Sequence, residues 1–147
     1  MKTSTTVATS DFTQIDLSRA GATLLRVALG IMFIAHSVVL KYFTFTLAGT
    51  AQYFVSIGLP GFLAYVVFAL EAIGGVLLVL GIRTRWVALG LVPVLLGAMW
   101  VHLGNGWVFN APNGGWEYPL FLVVISLVVA AQAINQGSSR SPSGGAN

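Results

Sequence analysis

The chain has very little charge with which to face water. Only 7% of its 147 residues are Asp, Glu, Lys or Arg, where a soluble domain carries about 25%. Seven basic and four acidic side chains cannot hydrate the whole surface of a domain this size, so water is not its main solvent. Cysteine is absent, which excludes thiol redox chemistry, disulfide scaffolds, iron–sulfur clusters and Cys-ligated zinc. The formal charge of +3 comes without a Lys/Arg run or basic stripe, so no nucleic-acid partner is expected. The glycines around Asn113 lack Walker or dinucleotide spacing. No acid stands behind either histidine in a hydrolase pattern.

Apolar residues make up 56% of the chain, and its mean hydropathy is +0.87. A membrane-crossing helix needs roughly 20 apolar residues, so the lipid bilayer is the expected surrounding and there is material for about four spans. The expected fold is an all-α integral membrane protein, a four-transmembrane-helix bundle. Its spans fall near residues 22–43, 61–82, 86–103 and 118–135 within a domain of residues 22–136. Residues 1–21 form a polar tail, loose through residue 16, and 137–147 a Gly/Ser/Pro-rich disordered tail. The first apolar run is too long for a cleaved signal peptide and is followed by Lys41.

Lys2, Arg19, Arg26, Arg83, Arg85 and Arg140 belong to the tails, the second connection or adjoining helix ends, against Lys41 alone on the other side. Cytoplasmic loops retain positive charge, so both termini are expected in the cytoplasm, with the bundle in the bacterial inner membrane. The two outer connections differ. Residues 48–60 predict a short helix lying in the interface between spans 1 and 2, with Thr50 as N-cap and Gly58 as its stop. Residues 104–116 combine Asn-Gly turn signals with Trp107, Phe109 and Trp116, which suit an interfacial aromatic belt.

Ionisable groups at bilayer depth each need a partner, a wet cavity or a task. At a rise of about 1.5 Å per residue, Glu71 falls near the midplane, His36 roughly 6 Å and His102 roughly 10 Å toward the outer side, and Arg26 roughly 9 Å toward the cytoplasm. Lys41 and Glu117 fall near the outer boundary. At about 100° per residue, Arg26, Gly30, Phe33, Ser37 and Lys41 form one stripe, with His36 on its flank. Glu71, Gly74, Gly75 and Leu78 share a face of span 2, where the glycines admit a neighbouring backbone. Glu71 is therefore internal, either a packing carboxyl group paired with Arg26 or a proton acceptor beside a ligand. Arg26 can instead reach the headgroups with its long side chain. Two imidazoles in a bundle can hold haem, but hydrogen bonding to Glu71, Glu117 or a loop carbonyl is the simpler use of His36 and His102. A zinc site lacks the helical His–Glu spacing, so no metal site is assigned. Pro93 in span 3 predicts a kink. Trp100, Trp107 and Trp116 are either interfacial anchors or the lining of a quinone-sized pocket.

Four segments carry a family resemblance: Leu25–Gly30 with Ala35-His36; Gly49–Phe54 through Gly58-Leu59-Pro60; Leu70-Glu71-Ala72-Ile73-Gly74-Gly75 leading to Leu80-Gly81; and His102–Gly106 followed by Asn113–Pro119. Their order and spacing over roughly residues 22–134 resemble the DoxX family of small four-span bacterial membrane proteins. Ser37 stands where that family more often has Gly, and Lys41 is all that remains of its Gln-Lys ending. The resemblance implies an integral membrane subunit of a quinone-linked oxidoreductase or redox-defence system, with Glu71, His36 and His102 as proton-handling residues. Arg26, Trp100, Trp107 and Glu117 would then contact quinone or pack around it. Without cysteine or a flavin motif, electrons would come from a partner protein or a diffusible donor. The other reading left open is a non-catalytic scaffold that docks a partner protein. The sequence also leaves open whether the chain forms an oligomer.

Overall fold

The computed structural model describes residues 5–138, with side chains described over 17–134. Its regular elements are all helical, with no strand among the described residues. Helix α1 (Thr5–Ile34) passes without a break into a π-helical stretch, Ala35–Thr44. Helices α2 (Leu47–Ser56), α3 (Phe62–Leu80) and α4 (Thr84–His102) follow, then a 3₁₀ turn at Leu103–Asn105 and helix α5 (Glu117–Ser138). Four apolar segments are long enough to cross a membrane: Leu17–Thr44, Phe62–Leu80, Thr84–Asn105 and Glu117–Ile134.

The helix starts at Thr5, where polar composition alone points to a loose tail. Once an apolar segment has nucleated a helix, each added residue gains a hydrogen bond at little further cost, so the helix propagates backwards from the span. Residues 137 and 138 are likewise helical. The rest of the expected C-terminal tail, 139–147, lies outside the described residues, as do residues 1–4.

The four long segments form a ring in which α3 packs on α1 and α4, and α5 closes against α4 and α1. The glycine face of α3 makes this possible. A Cβ on Gly75 would sit 2.8 Å from the Gly30 carbonyl oxygen, and one on Gly30 would sit 2.7 Å from that of Gly75. Gly74, one position earlier, accepts the Leu91 side chain of α4. Leu29, Phe33, Leu78, Leu91, Leu95, Leu122 and Val129 fill the interior. Leu24, Ile31, Ile73, Leu80, Trp86 and Phe121 point outward, as helices surrounded by hydrocarbon require. Helix α4 is unbroken through Pro93.

The bundle has two unlike ends. One carries the tight α3–α4 turn, closed by Gly81 at φ 74° with Ile82 N–H donating to the Leu77 carbonyl (2.9 Å) and Gly81 N–H to that of Leu78 (3.1 Å). The other carries α2 and the 106–116 loop. Helix α2 ends as expected at Gly58, at φ 84°. Its N-cap is Thr46, however, and not Thr50: Thr46 Oγ1 accepts from Gly49 N–H at 3.1 Å. The helix begins at Leu47, so Thr50 lies inside it, buried, with its hydroxyl donating to the Thr46 carbonyl.

Candidate functional site

Glu71 stands on the inner face of α3, 6% exposed, together with Gly74, Gly75 and Leu78. A carboxylate there must be paired, and its partner is Lys41, whose Nζ lies 2.5 Å from Glu71 Oε2. Arg26, the partner considered from sequence, is engaged elsewhere. Its Nη1 donates to the carbonyls of Leu78 and Val79 (the latter at 2.9 Å), satisfying carbonyls in the last turn of α3, at the other end of the bundle from α2. Arg26 is thus not the counter-ion of Glu71.

Lys41 reaches Glu71 because the first span stops being α-helical at Ala35. Through Ala35–Thr44 the backbone bonds run five residues back, as Phe45 N–H to the Leu40 carbonyl does at 2.8 Å. The wider coil turns each residue through a smaller angle and advances it less along the axis than an α-helix does. Lys41 therefore lies deeper, and on a different bearing, than α-helical spacing implies. The side chains at the start of this stretch take carbonyls of the preceding turn: Ser37 Oγ donates to Phe33 O (2.8 Å) and Ile34 O (3.1 Å), and His36 Nδ1 lies 2.8 Å from Met32 O. Such side chain to backbone bonds, with the β-branched pair Val38-Val39, oppose regular α-helix here.

His36 precedes Lys41 by five residues, about one turn of this wider coil. A carbonyl can only accept, so Nδ1 of His36 carries the hydrogen toward Met32, and in the neutral ring Nε2 is the acceptor left for another group. The imidazole stacks on Tyr118 at the start of α5, with centroids 5.7 Å apart and planes 23° apart. The Tyr118 hydroxyl is buried without a hydrogen-bond partner. Glu71, Lys41, His36 and Tyr118 thus form a cluster drawn from three helices. It offers a carboxyl group, an ammonium group, an imidazole acceptor and an unsatisfied phenol.

The remaining residues singled out from sequence have other partners. His102 Nδ1 is 3.3 Å from Asn105 Nδ2, which also donates to the Asn113 carbonyl at 3.0 Å, so His102 belongs to the 106–116 loop. Glu117 holds the same loop, its Oε1 accepting from Phe109 N–H (3.2 Å) and its own N–H donating to Trp107 O (3.1 Å). Trp107 packs edge-on against Trp116 at 4.4 Å, whereas Trp100 lies outward, 58% exposed. Among the described residues no group of three or more His, Asp or Glu converges in a way that could hold a metal ion. Sequence reasoning missed the roles of Lys41 and Tyr118. The available signal for Lys41 was that it is the only strong cation between Arg26 and Arg83.

A buried ion pair, a stacked imidazole and an orphaned phenol in a ring of four apolar helices describe a membrane protein with an internal polar centre. Residues 21–104 match the DoxX family model, and the chain belongs to that family. It is accordingly a multi-pass membrane protein. It is 43% identical over 110 residues to a Bacillus subtilis (strain 168) protein named "Putative oxidoreductase CatD", an alignment covering 74% of this chain and 78% of that one. No solved structure shows significant similarity.

Proposed function

We propose that the protein is the membrane-embedded subunit of a quinone-linked oxidoreductase or redox-defence system, in the inner membrane with both termini cytoplasmic. Its proton-handling site would be centred on Glu71, Lys41 and His36. Family membership and the oxidoreductase named among its relatives support the redox part of this reading. The observation that carries the site is the cluster itself: a buried carboxyl–ammonium pair beside a histidine with an open Nε2 and a buried phenol lacking a partner.

These residues suit a quinone headgroup, because the orphaned Tyr118 hydroxyl needs an acceptor and a quinone carbonyl is one. A quinone, when bound, takes up two electrons and two protons. The electrons would come from a partner protein or a diffusible donor, since the chain has no cysteine. The residues here orient and supply protons: Tyr118 donates a hydrogen bond, Lys41 holds the charge of Glu71, and Glu71 and His36 exchange protons. His102, Glu117 and Trp107 shape the loop above the cluster instead of acting in it.

One observation favours a non-catalytic scaffold, namely that Glu71 is already paired with Lys41 and can act as a lock between the first span and α3. Lipid extraction distinguishes the readings. Detergent-purified protein should carry quinone above its proportion in the surrounding membrane, and Tyr118→Phe and His36→Ala should return it to that proportion. A native protein with no enrichment favours the scaffold.

A further inference from the structure

A polar cavity lies at the opposite end of the bundle from the cluster, and the redox reading leaves it unused. It has a volume of about 260 Å³ and is bordered by Thr23 and Arg26 of α1, Gly81 and Thr84 of the α3–α4 turn, and Gln132 and Ala133 of α5. That is below the roughly 300–1,000 Å³ of pockets for drug-sized ligands, and suits a headgroup better than a cofactor.

Three features specify what would fit. Both hydrogen bonds holding Arg26 run through Nη1, which leaves Nε and Nη2 as charged donors beside the hydroxyls of Thr23 and Thr84. The two described carboxylates, Glu71 and Glu117, are both engaged away from this cavity, with Lys41 and the 106–116 loop, so the guanidinium has no described counter-ion. Gln132 Oε1 is buried without a donor. A complementary ligand therefore brings an anion that accepts from a planar guanidinium and, beside it, a hydroxyl that donates to an amide oxygen. The cavity sits at the level of the polar Gly81–Thr84 turn, and Arg83 and Arg85 are exposed on that turn. Basic pockets between membrane helices at this depth bind lipid phosphates.

We propose that this cavity is a binding site for a hydroxyl-bearing phosphate ester, its phosphate on Arg26 and the threonines and its hydroxyl on Gln132. The source is either the headgroup of an anionic phospholipid such as phosphatidylglycerol or a soluble glycerol phosphate. The site is independent of the redox cluster, and its test needs no redox assay.

The test is thermal unfolding of the delipidated full-length protein with phosphatidylglycerol, phosphatidylcholine or glycerol 3-phosphate added. Phosphatidylglycerol should raise the unfolding temperature saturably by several degrees, as ligand linkage requires, and phosphatidylcholine, which has a phosphate but no hydroxyl donor, should not. Gln132→Leu removes the orphaned acceptor and Ala133→Phe fills the cavity, while both leave the Arg26–carbonyl bonds in place. Each should weaken phosphatidylglycerol binding about ten-fold or more. If Ala133→Phe does not assemble, Gln132→Leu decides. Glycerol 3-phosphate saturating the same shift and competing with the lipid would assign the site to the soluble ester. An equal response to phosphatidylcholine, or a phosphatidylglycerol response unchanged in the assembled variants, would overturn the proposal.

Discussion

The Lys41–Glu71 bridge concentrates two charges in the interior of a chain that has few. Removing one partner of such a pair leaves an uncompensated buried charge, and that penalty usually exceeds what the intact pair contributes. Lys41→Ala should therefore lower stability by about 3–5 kcal/mol, measured by denaturant or thermal unfolding in detergent. The double replacement Lys41→Met with Glu71→Leu should recover most of this loss, because an apolar pair of similar volume requires no desolvation of charge. If the single and double variants are equally unstable, the pair is not the reason Glu71 tolerates burial. At this scale the sequence was legible in part. Glu71 and the glycines after it fall on one face at α-helical spacing, and the structure buries that face. The partner was not legible, because Lys41 lies beyond a change of helical pitch that residue spacing does not reveal.

That change of pitch is the main event at the scale of elements. Ala35–Thr44 would continue α1 on hydropathy alone, and only the carbonyl-seeking side chains of His36 and Ser37 hint that the helix is contested there. The four long segments were legible because their apolar runs are long and end in Gly, Pro or charged turns. The helix before residue 17 was not legible, because local polarity says nothing about propagation from a neighbouring helix. Between elements, the decisive contact is the backbone approach of α1 and α3 at Gly30 and Gly75. Gly75→Ala places a methyl group against the Gly30 carbonyl and the Ile34 side chain, and should cost about 1–3 kcal/mol through forced separation of the helices. Gly97→Ala, where a Cβ meets nothing within 4 Å, should leave thermal stability unchanged and serves as the control. The 106–116 loop depends on Gly115, whose added Cβ would fall 2.1 Å from the Val108 carbonyl oxygen. Trp107→Ala, by contrast, should reduce stability or expression modestly, with redox activity retained in the protein that assembles. Complete loss of activity at unchanged expression would place Trp107 in the ligand site.

For the whole molecule, the lopsided placement of Arg and Lys carries the orientation proposed above. The α3–α4 turn, with Arg83 and Arg85, would face the cytoplasm, and α2 with the 106–116 loop the outside. Since the chain has no cysteine, introduced thiols report topology without background. Phe109→Cys in intact spheroplasts should react with a membrane-impermeant maleimide, and a reporter fused after Asn147 should remain inaccessible. An accessible C-terminus would contradict the orientation. Under this arrangement the proton-handling cluster lies toward the outer side, reached from the membrane by an apolar quinone tail, and the Arg26 cavity lies toward the cytoplasm. The central claim is that Glu71 handles protons and does not merely lock helices together. Glu71→Gln tests it most directly, because it preserves size and a hydrogen-bond acceptor for Lys41 while abolishing proton exchange; it also removes the counter-ion of Lys41, so activity is scored only in protein that assembles. In membrane vesicles matched for assembled protein, the account predicts that Glu71→Gln abolishes quinone-linked electron transfer. Full activity in that variant would contradict it and reduce Glu71 to packing.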